Sequence, residues 1–582
     1  MAQAALTAAV LAWLFPIFLH PFAIVGEDAG RTHDYLQQAT YDHLFRRAIL
    51  DEGAWPLRTH LLGGGYPLSA NPQDTAFTPF SLTTLAFGEA LGVKINIALF
   101  FLVGVLGFYR LARETYECGA SASAFGALAF AVSGWWLSRV EWGDFFKLYF
   151  HLVPWIWLFL SRAAKGRPGV LAAGLLLAAA MTQLGLGFVV IGLYLVLHLA
   201  LESWNEPAGG ARKASRAAGF VVAAFAASCV FGAAKLVPMA GLLLENPRAV
   251  ETYDLYLRAD GLGWPHFYES FAAFARALFF HAPVPKEPIA PGWAAVPLAI
   301  AGVMMRPKRL WPLAVTSMLF ALICFGPFLG VDLFRPLWAL PIFHSMHRPY
   351  QLFSLFVLTG IALAAAVGLE EILRRFAARQ TLIAAVAFAL TAPTYFWAWP
   401  VLSRAFVDEA PRLEKTASFY FVQGEDMARG APRSLHTQQY FNVLRGVGTI
   451  DWDGDVLLPE HAAPKFFFNL DDARRDNADY RGEVYFARGG GEIASWTIAS
   501  HRLTATGRAD GDALIVFNQN FDPYFRANVP LIDYQGLIGA RVGAGSFDIG
   551  IRYRPWPTYA GMAASFLSIA AFAFVSYRRR RN

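Results

Sequence analysis

The chain has 582 residues, 56% hydrophobic and only 16% charged, where a soluble domain carries about 25% charged residues. Fifty Phe and seventeen Trp add the aromatic weight of membrane-interface belts, so the composition excludes a soluble globular protein and indicates a polytopic membrane protein. The formal charge of +6 comes from basic residues clustered in short loops; that distribution is a topology signal and gives no reason to expect a nucleic-acid partner.

A bilayer span needs roughly 17–25 mostly apolar residues. Twelve stretches qualify, near 5–25, 94–112, 120–138, 145–162, 169–183, 185–202, 217–242, 290–305, 310–330, 351–370, 380–398 and 558–576. No basic n-region or A-x-A site precedes the first loop, so the first stretch is expected to be a retained helix. Arg110, Arg162, Arg212, Arg306, Arg374 and the Arg578–Arg581 run then fall on one side, which becomes the cytoplasm. The hinge of this assignment is 169–202, read as a tight hairpin broken at Thr182-Gln183. A single span there would move every later basic loop outside.

Four segments remain outside: 26–93, 243–289, 331–350 and 399–557. The expected division is a transmembrane domain over 1–398 with its first outer loop at 26–93, an extracytoplasmic β-rich domain over 399–557, and a last helix with a basic tail over 558–582. Within 399–557 the runs Ala513–Phe517 and Phe547–Tyr553 alternate between turn residues, as antiparallel strands do. Cys118, Cys229 and Cys324 lie in or beside apolar runs and offer neither a disulfide framework nor a metal site.

The first outer loop holds the residues best suited to chemistry. Glu27 and Asp28 leave the first span directly; they are either a solvated interface pair or a source of a base or metal ligand. Asp34, Gln38 and Asp42 recur at four-residue spacing and share a helix face. The stretch 34–52 reads as an amphipathic helix along the membrane surface. A carboxylate there is suited to accept a proton from an attacking hydroxyl; the plainer reading is a helix start with Thr32 or Asp34 as N-cap. Lys235, in an apolar run, must snorkel or find an anion. With Arg348 and with Lys147 and Arg139 it forms a set of outer-mouth cations that would suit a phosphate or would simply anchor the interface. His344 and His347 lack metal spacing, and no nucleotide-binding loop is present.

The order of features resembles the YfhO-type bacterial membrane proteins of the GT-C glycosyltransferase superfamily. The resemblance is carried by Asp34 with Gln38, Trp55-Pro56-Leu57, Gly64-Gly65-Tyr66-Pro67, Ala70-Asn71-Pro72-Gln73 and Thr78-Pro79. It continues through Ala131–Gly134, Ala233–Pro238, Asn246-Pro247-Arg248 and His347-Arg348-Pro349-Tyr350, and ends with Asn520–Val529 and Ile549–Pro555. Leu57-Arg58 and Tyr524-Phe525 depart from the family pattern, which has Trp-Asn and a Trp there. The resemblance implies a GT-C-like fold of about twelve transmembrane helices with a C-terminal extracytoplasmic β-rich domain. It implies a multi-pass protein of the bacterial inner membrane with its site on the outer face. The activity implied is sugar transfer from a polyprenyl-phosphate donor to an extracytoplasmic glycan, lipid or protein. Asp34 takes the role of base, with Asp28 as its alternative. Arg348 and Lys235 would hold the lipid phosphate, and Gln38, His347, Tyr66 and Asn71 would line the substrate site. No cofactor is required, and a divalent metal is compatible. A transporter or lipid flippase, or a non-catalytic assembly subunit of envelope glycan synthesis, are the rival readings.

Overall fold

The computed structural model describes residues 2–25, 33–74, 78–184, 187–204, 210–246, 252–253, 257, 267–280, 288–344, 346, 348–409, 412–423, 435–451, 458, 461–468 and 474–581. The N-terminal part is helical: α1 (Ala2–Leu14), α2 (His33–Leu50), α3 (Ser81–Glu114), α4 (Ala120–Ala131), α5 (Gly134–Trp142) and α6 (Val153–Ala164). Next come α7 (Val170–Leu184), α8 (Gly187–Trp204), α9 (Gly210–Phe231), α10 (Ala233–Glu245), α11 (Phe271–Phe279), α12 (Ala295–Met305) and α13 (Pro307–Ile323). The long α14 (Pro349–Arg375) and α15 (Gln380–Arg404) complete the bundle before the C-terminal domain, which contains α16 (Leu435–Arg445), and α17 (Trp556–Arg581) closes the chain.

Every one of the twelve expected spans coincides with helix, but not as twelve full-length rods. Among the described residues seven helices are long and apolar enough to cross a membrane, and three shorter apolar helices accompany them. The differences have local causes. The first span stops at Leu14, where Pro16 tightens the chain into a 3-10 turn, and Ala23–Val25 is a strand. The stretch 145–162 begins as a 3-10 helix over Phe145–Leu152. The stretch 217–242 is broken at Gly232 into α9 and α10. The 169–202 stretch forms two helices, with residues 185–186 outside the described set.

Helix α14 runs through the middle of the bundle, with a nearly continuous buried surface. Glycines let α12 approach it closely: a Cβ at Gly368 would lie 1.9 Å from the Leu298 carbonyl oxygen, the small-residue contact used between helices in lipid. At one end of the bundle Arg162 meets Glu114, Arg309 meets Glu117, and Arg306 and Arg374 meet Glu371. Four of the basic loops assigned to one side of the membrane therefore meet.

The C-terminal region holds two antiparallel four-stranded sheets, ordered β12-β13-β10-β7 and β11-β14-β9-β8. Their inner residues, among them Ile515, Ile538, Leu503 and Ile549, form a shared core. Here β7 is Val484–Arg488, β8 Gly491–Ile498, β9 Arg502–Ala509, β10 Ala513–Asn520, β11 Phe525–Ala527, β12 Leu531–Tyr534, β13 Leu537–Val542 and β14 Gly545–Tyr553. A third sheet, β4-β3-β5-β6, is mixed: β3 (Phe421–Gln423) pairs in parallel with both β4 (Gly448–Thr449) and β5 (Phe466–Phe468), and β6 (Arg474–Asp476) is antiparallel. The crossover between β3 and β4 contains α16, a helix that strand alternation does not announce.

The segment between α1 and α3 is built into this domain. Strand β1 (Ala23–Val25) pairs with β2 (Asp408–Glu409). The Leu61 carbonyl accepts from Thr449 N, and Gly63 N donates to the Thr449 carbonyl, each at 2.8 Å. The glycine triplet is required by proximity: all three glycines have positive φ, and a Cβ at Gly64 would lie 2.8 Å from Asn520 Oδ1. Asn520 Nδ2 donates to the Gly63 carbonyl at 2.7 Å. Arg58 is buried, donates to Gln519 Oε1 at 2.8 Å and lies over the Phe525 ring; burial lowers its pKa to about 10. Burial, with Arg47 and Arg58 nearby, holds His60 well below the ordinary imidazole range and hence neutral.

Candidate functional site

Helix α2 is buried along Tyr35–Asp42, which corrects the expected amphipathic surface helix. The reason is a cover that its own sequence does not reveal: Phe406 and the core residues Tyr440 and Val443 of the C-terminal part close over it. Tyr35 fixes its start. The Tyr35 hydroxyl donates to the Val140 carbonyl, and its ring packs 4.7 Å from Phe145 and 4.8 Å from Phe406. Gly143 turns the end of α5 in the left-handed region because a Cβ there would lie 2.6 Å from Tyr35 N. The backbone of Asp34 therefore stands at the corner between α5 and the Phe145–Leu152 turn. The Asp34 side chain, and Glu27, Asp28 and His347 as a whole, lie outside the described residues.

That corner carries a buried polar group. Arg139 Nη1 and Lys147 Nζ each donate to Asp144 Oδ2 at 2.6 Å. Lys147 also donates to Gln351 Oε1 at 2.8 Å. Burial pushes the Asp144 carboxyl up, but Lys147 and Arg139 outweigh it and hold the group ionised, below the usual carboxylate range. Gln351 lies in the first turn of α14, and its N–H donates to the Arg348 carbonyl at 3.0 Å. Arg348 caps that helix with φ 51° and ψ 63°, a left-handed conformation that costs a non-glycine residue on the order of 1–3 kcal/mol. It precedes Pro349, which disfavours the right-handed helical alternative.

The second group lies further along α2. Gln38 Nε2 donates to Asp42 Oδ1 at 3.3 Å, and both side chains are buried. Asp42 and Asp74 are both close enough to Tyr149 to act on it electrostatically; the Tyr149 hydroxyl is 3.1 Å from Thr78 Oγ1. Asp74 also acts electrostatically on Lys235. Lys235 is 0% exposed, and its Nζ has no hydrogen-bond partner among the described residues. The Phe145–Leu152 turn joins the two groups, with Lys147 in one and Tyr149 in the other. Arg348 belongs to the first and Lys235 to the second.

Asn71 is buried and organises the turn before Asp74: its Oδ1 accepts from Gln73 N at 3.0 Å, and its carbonyl from Asp74 N at 3.3 Å. Tyr66 pairs its backbone with Thr59 and sits in the loop core beside Leu61, Leu68 and Leu242. Asp74, Tyr149 and Gln351 were not singled out from the sequence. Asp74 has a signal, the Asn71-Pro72 turn that precedes it; the Lys147–Gln351 and Lys235–Asp74 encounters have none. Among the described residues no three His, Cys, Asp or Glu side chains could together hold a metal ion. A cavity of about 290 Å³ adjoins the second group, between α10, residues 67–70 of the loop and the β-domain.

No family model matches the chain, and no curated protein matches it. Among solved structures it is similar to the arabinofuranosyltransferase AftD from Mycobacteria, at 15% identity and TM-score 0.44 over 70% of this chain and 27% of that one. A variant of that enzyme gives TM-score 0.48 at 15% identity over 79% of this chain and 33% of the other. The oligosaccharyltransferase from Archaeoglobus fulgidus gives 0.41 at 11% identity over 77% and 64%. The chain thus spans a third or less of the AftD chains and under two thirds of the archaeal enzyme, and likeness at this level defines neither a fold family nor an activity. The helices and sheets themselves define the class: a polytopic α-helical membrane protein with a C-terminal β-rich domain.

Proposed function

We propose that the protein is a membrane glycosyltransferase that moves a sugar from a polyprenyl-phosphate donor to an acceptor outside the cytoplasm of a bacterial cell. The observation that carries this reading is Lys235: an ammonium group fully enclosed at the inner edge of the first outer loop, without a hydrogen bond among the described residues. A buried cation that makes no hydrogen bond is costly, and an anionic ligand at that depth would offset the cost. A polyprenyl phosphate has its charge there because its tail lies in the bilayer.

In the proposed reaction the acceptor hydroxyl oxygen bonds to the anomeric carbon while the bond from that carbon to the phosphate oxygen breaks. The electron pair leaves on the phosphate, and the hydroxyl proton passes to Asp34, or to Asp28 as the alternative. Lys235 and Arg348 stabilise the charge that develops on the phosphate. Gln38 and Asn71 orient the acid-bearing helix and the turn before Asp74, and His347 and Tyr66 complete the substrate-side set. No step is routed through a metal.

Release of polyprenyl phosphate by purified protein in lipid tests the reading. Asp34→Asn keeps the size and loses the base, so turnover should fall by roughly 10²–10⁴-fold with little change in yield. Full turnover in Asp34→Asn with loss in Asp28→Asn moves the base to Asp28. Indifference to both replaces the transferase with the transport or assembly reading.

A further inference from the structure

The cavity between α10, the first loop and the β-domain has a lining whose chemistry selects its occupant. Its volume of about 290 Å³ is at the lower end for small-molecule pockets. Glu245, Asp522 and Asp533 contribute carboxylates, and Phe521 and Tyr524 contribute aromatic rings. Among the described residues no Lys or Arg lines it, and His461 is its one basic side chain. Lipid phosphate and acidic sugars are therefore poor occupants.

The acceptors are held in place. Asp522 Oδ2 accepts from the Tyr553 hydroxyl at 3.1 Å and Oδ1 from Tyr524 N at 2.8 Å. Asp533 Oδ1 accepts from Gly536 N at 2.7 Å. Each carboxylate retains further acceptor capacity. Fixed acceptors beside aromatic faces suit a ligand with many hydroxyl donors and an apolar C–H face. We infer that this cavity is a binding site for an uncharged saccharide, and that in the transferase it holds the acceptor glycan; the second clause rests on the function proposed above. Lys235 and Gly241 lie on one helix, six residues and ~9 Å of rise apart, so the cavity and the proposed phosphate site share a helix while Lys235 stays outside the cavity lining.

Gly241 supplies the test, because it lines the cavity and a Cβ there meets nothing within 4 Å. Gly241→Phe should fill the space without displacing backbone. Gly219 is also open on its helix but remote from the lining, so Gly219→Phe is the matched control. Saturation-transfer NMR on the full-length protein in nanodiscs, with methyl hexopyranosides, glucuronate and inorganic phosphate as probes, reads occupancy. The expected result is hexoside signal in the parent protein and in Gly219→Phe, loss in Gly241→Phe, weakening by roughly tenfold or more in Tyr524→Ala, and no signal from the two anions. Unchanged hexoside binding in Gly241→Phe, absent binding in the parent, or competition by glucuronate or phosphate overturns the site. Asp34- or Asp28-dependent polyprenyl phosphate release without hexoside binding removes the cavity proposal and leaves the transferase. Hexoside binding sensitive to Gly241→Phe, with release indifferent to both acids, removes the transferase and leaves the cavity.

Discussion

At the end of the bundle that gathers Glu114, Glu117, Glu370 and Glu371, arginines pair in the open; Arg309 and Glu117 are 34% and 73% exposed. At the other end, Arg139 and Asp144 make the same kind of contact at 2% and 6% exposure, and Lys235 is enclosed with no hydrogen bond among the described residues. The exposed pairs add little stability. The buried groups cost desolvation free energy that an apolar replacement would avoid. Retaining them is intelligible where the charge has a second task, which is the role the proposed site gives to the α2 end.

The comparison can be broken in four ways. The largest effect should come from Asp144→Ala, which strands Arg139 and Lys147 without their shared acceptor: about 3–5 kcal/mol of stability, read by unfolding in detergent. A loss near that of a surface pair would erase the contrast.

A buried acid in the C-terminal β-rich domain sharpens it. Burial raises the Glu483 pKa to about 8 despite bonds from the Tyr480 hydroxyl, Asn518 Nδ2 and Phe421 N. The folded state keeps a proton that the unfolded chain releases near pH 4.5. Stability from this group is therefore full below about 4.5 and is lost as pH rises towards 8, by an amount on the order of a few kcal/mol. Glu483→Gln should flatten that slope in melting curves at pH 5 and pH 8. An unchanged slope would show the carboxyl to be ionised in the fold.

Lys235→Met separates ligand binding from structure. It should lower donor-dependent turnover by about 10–100-fold, the worth of a charge-assisted bond, while leaving melting unchanged or higher. A stability loss as large as that of Asp144→Ala would make Lys235 a structural partner of Asp74. Smallest of all, Arg374→Ala should cost about 0–1 kcal/mol and no turnover; a larger loss would mean that the exposed network holds the helices together.

The helices were legible because an apolar run of bilayer length has few other fates, and the strand at Phe547–Tyr553 because its buried and exposed positions alternate; Ala513–Phe517 is instead a short apolar run buried on both faces, legible from its length and flanking turns. Pro16 and Gly232 mark the interruptions in the sequence, but each lies inside an apolar run whose hydrophobicity continues through it. The polar seam was legible in part. Asp34, Gln38 and Asp42 declare themselves by spacing, whereas Lys147 with Gln351 and Lys235 with Asp74 meet only through packing of segments far apart in the chain. The burial of α2 was hidden for the same reason: its cover arrives with residues 406–445.

The anchoring of the glycine triplet by Asn520 has a consequence for biosynthesis. The two partners are 457 residues apart in sequence, so at roughly 5–20 residues per second the first outer loop emerges about 20–90 s before the strand that completes it. For most of that interval β1 lacks β2, the Leu61–Gly63 backbone lacks Thr449, and the acid-bearing helix lacks its cover. The earliest-made part of the outer surface is thus among the last to become native, and a nascent chain stalled before residue 520 would present an open polar loop at the membrane.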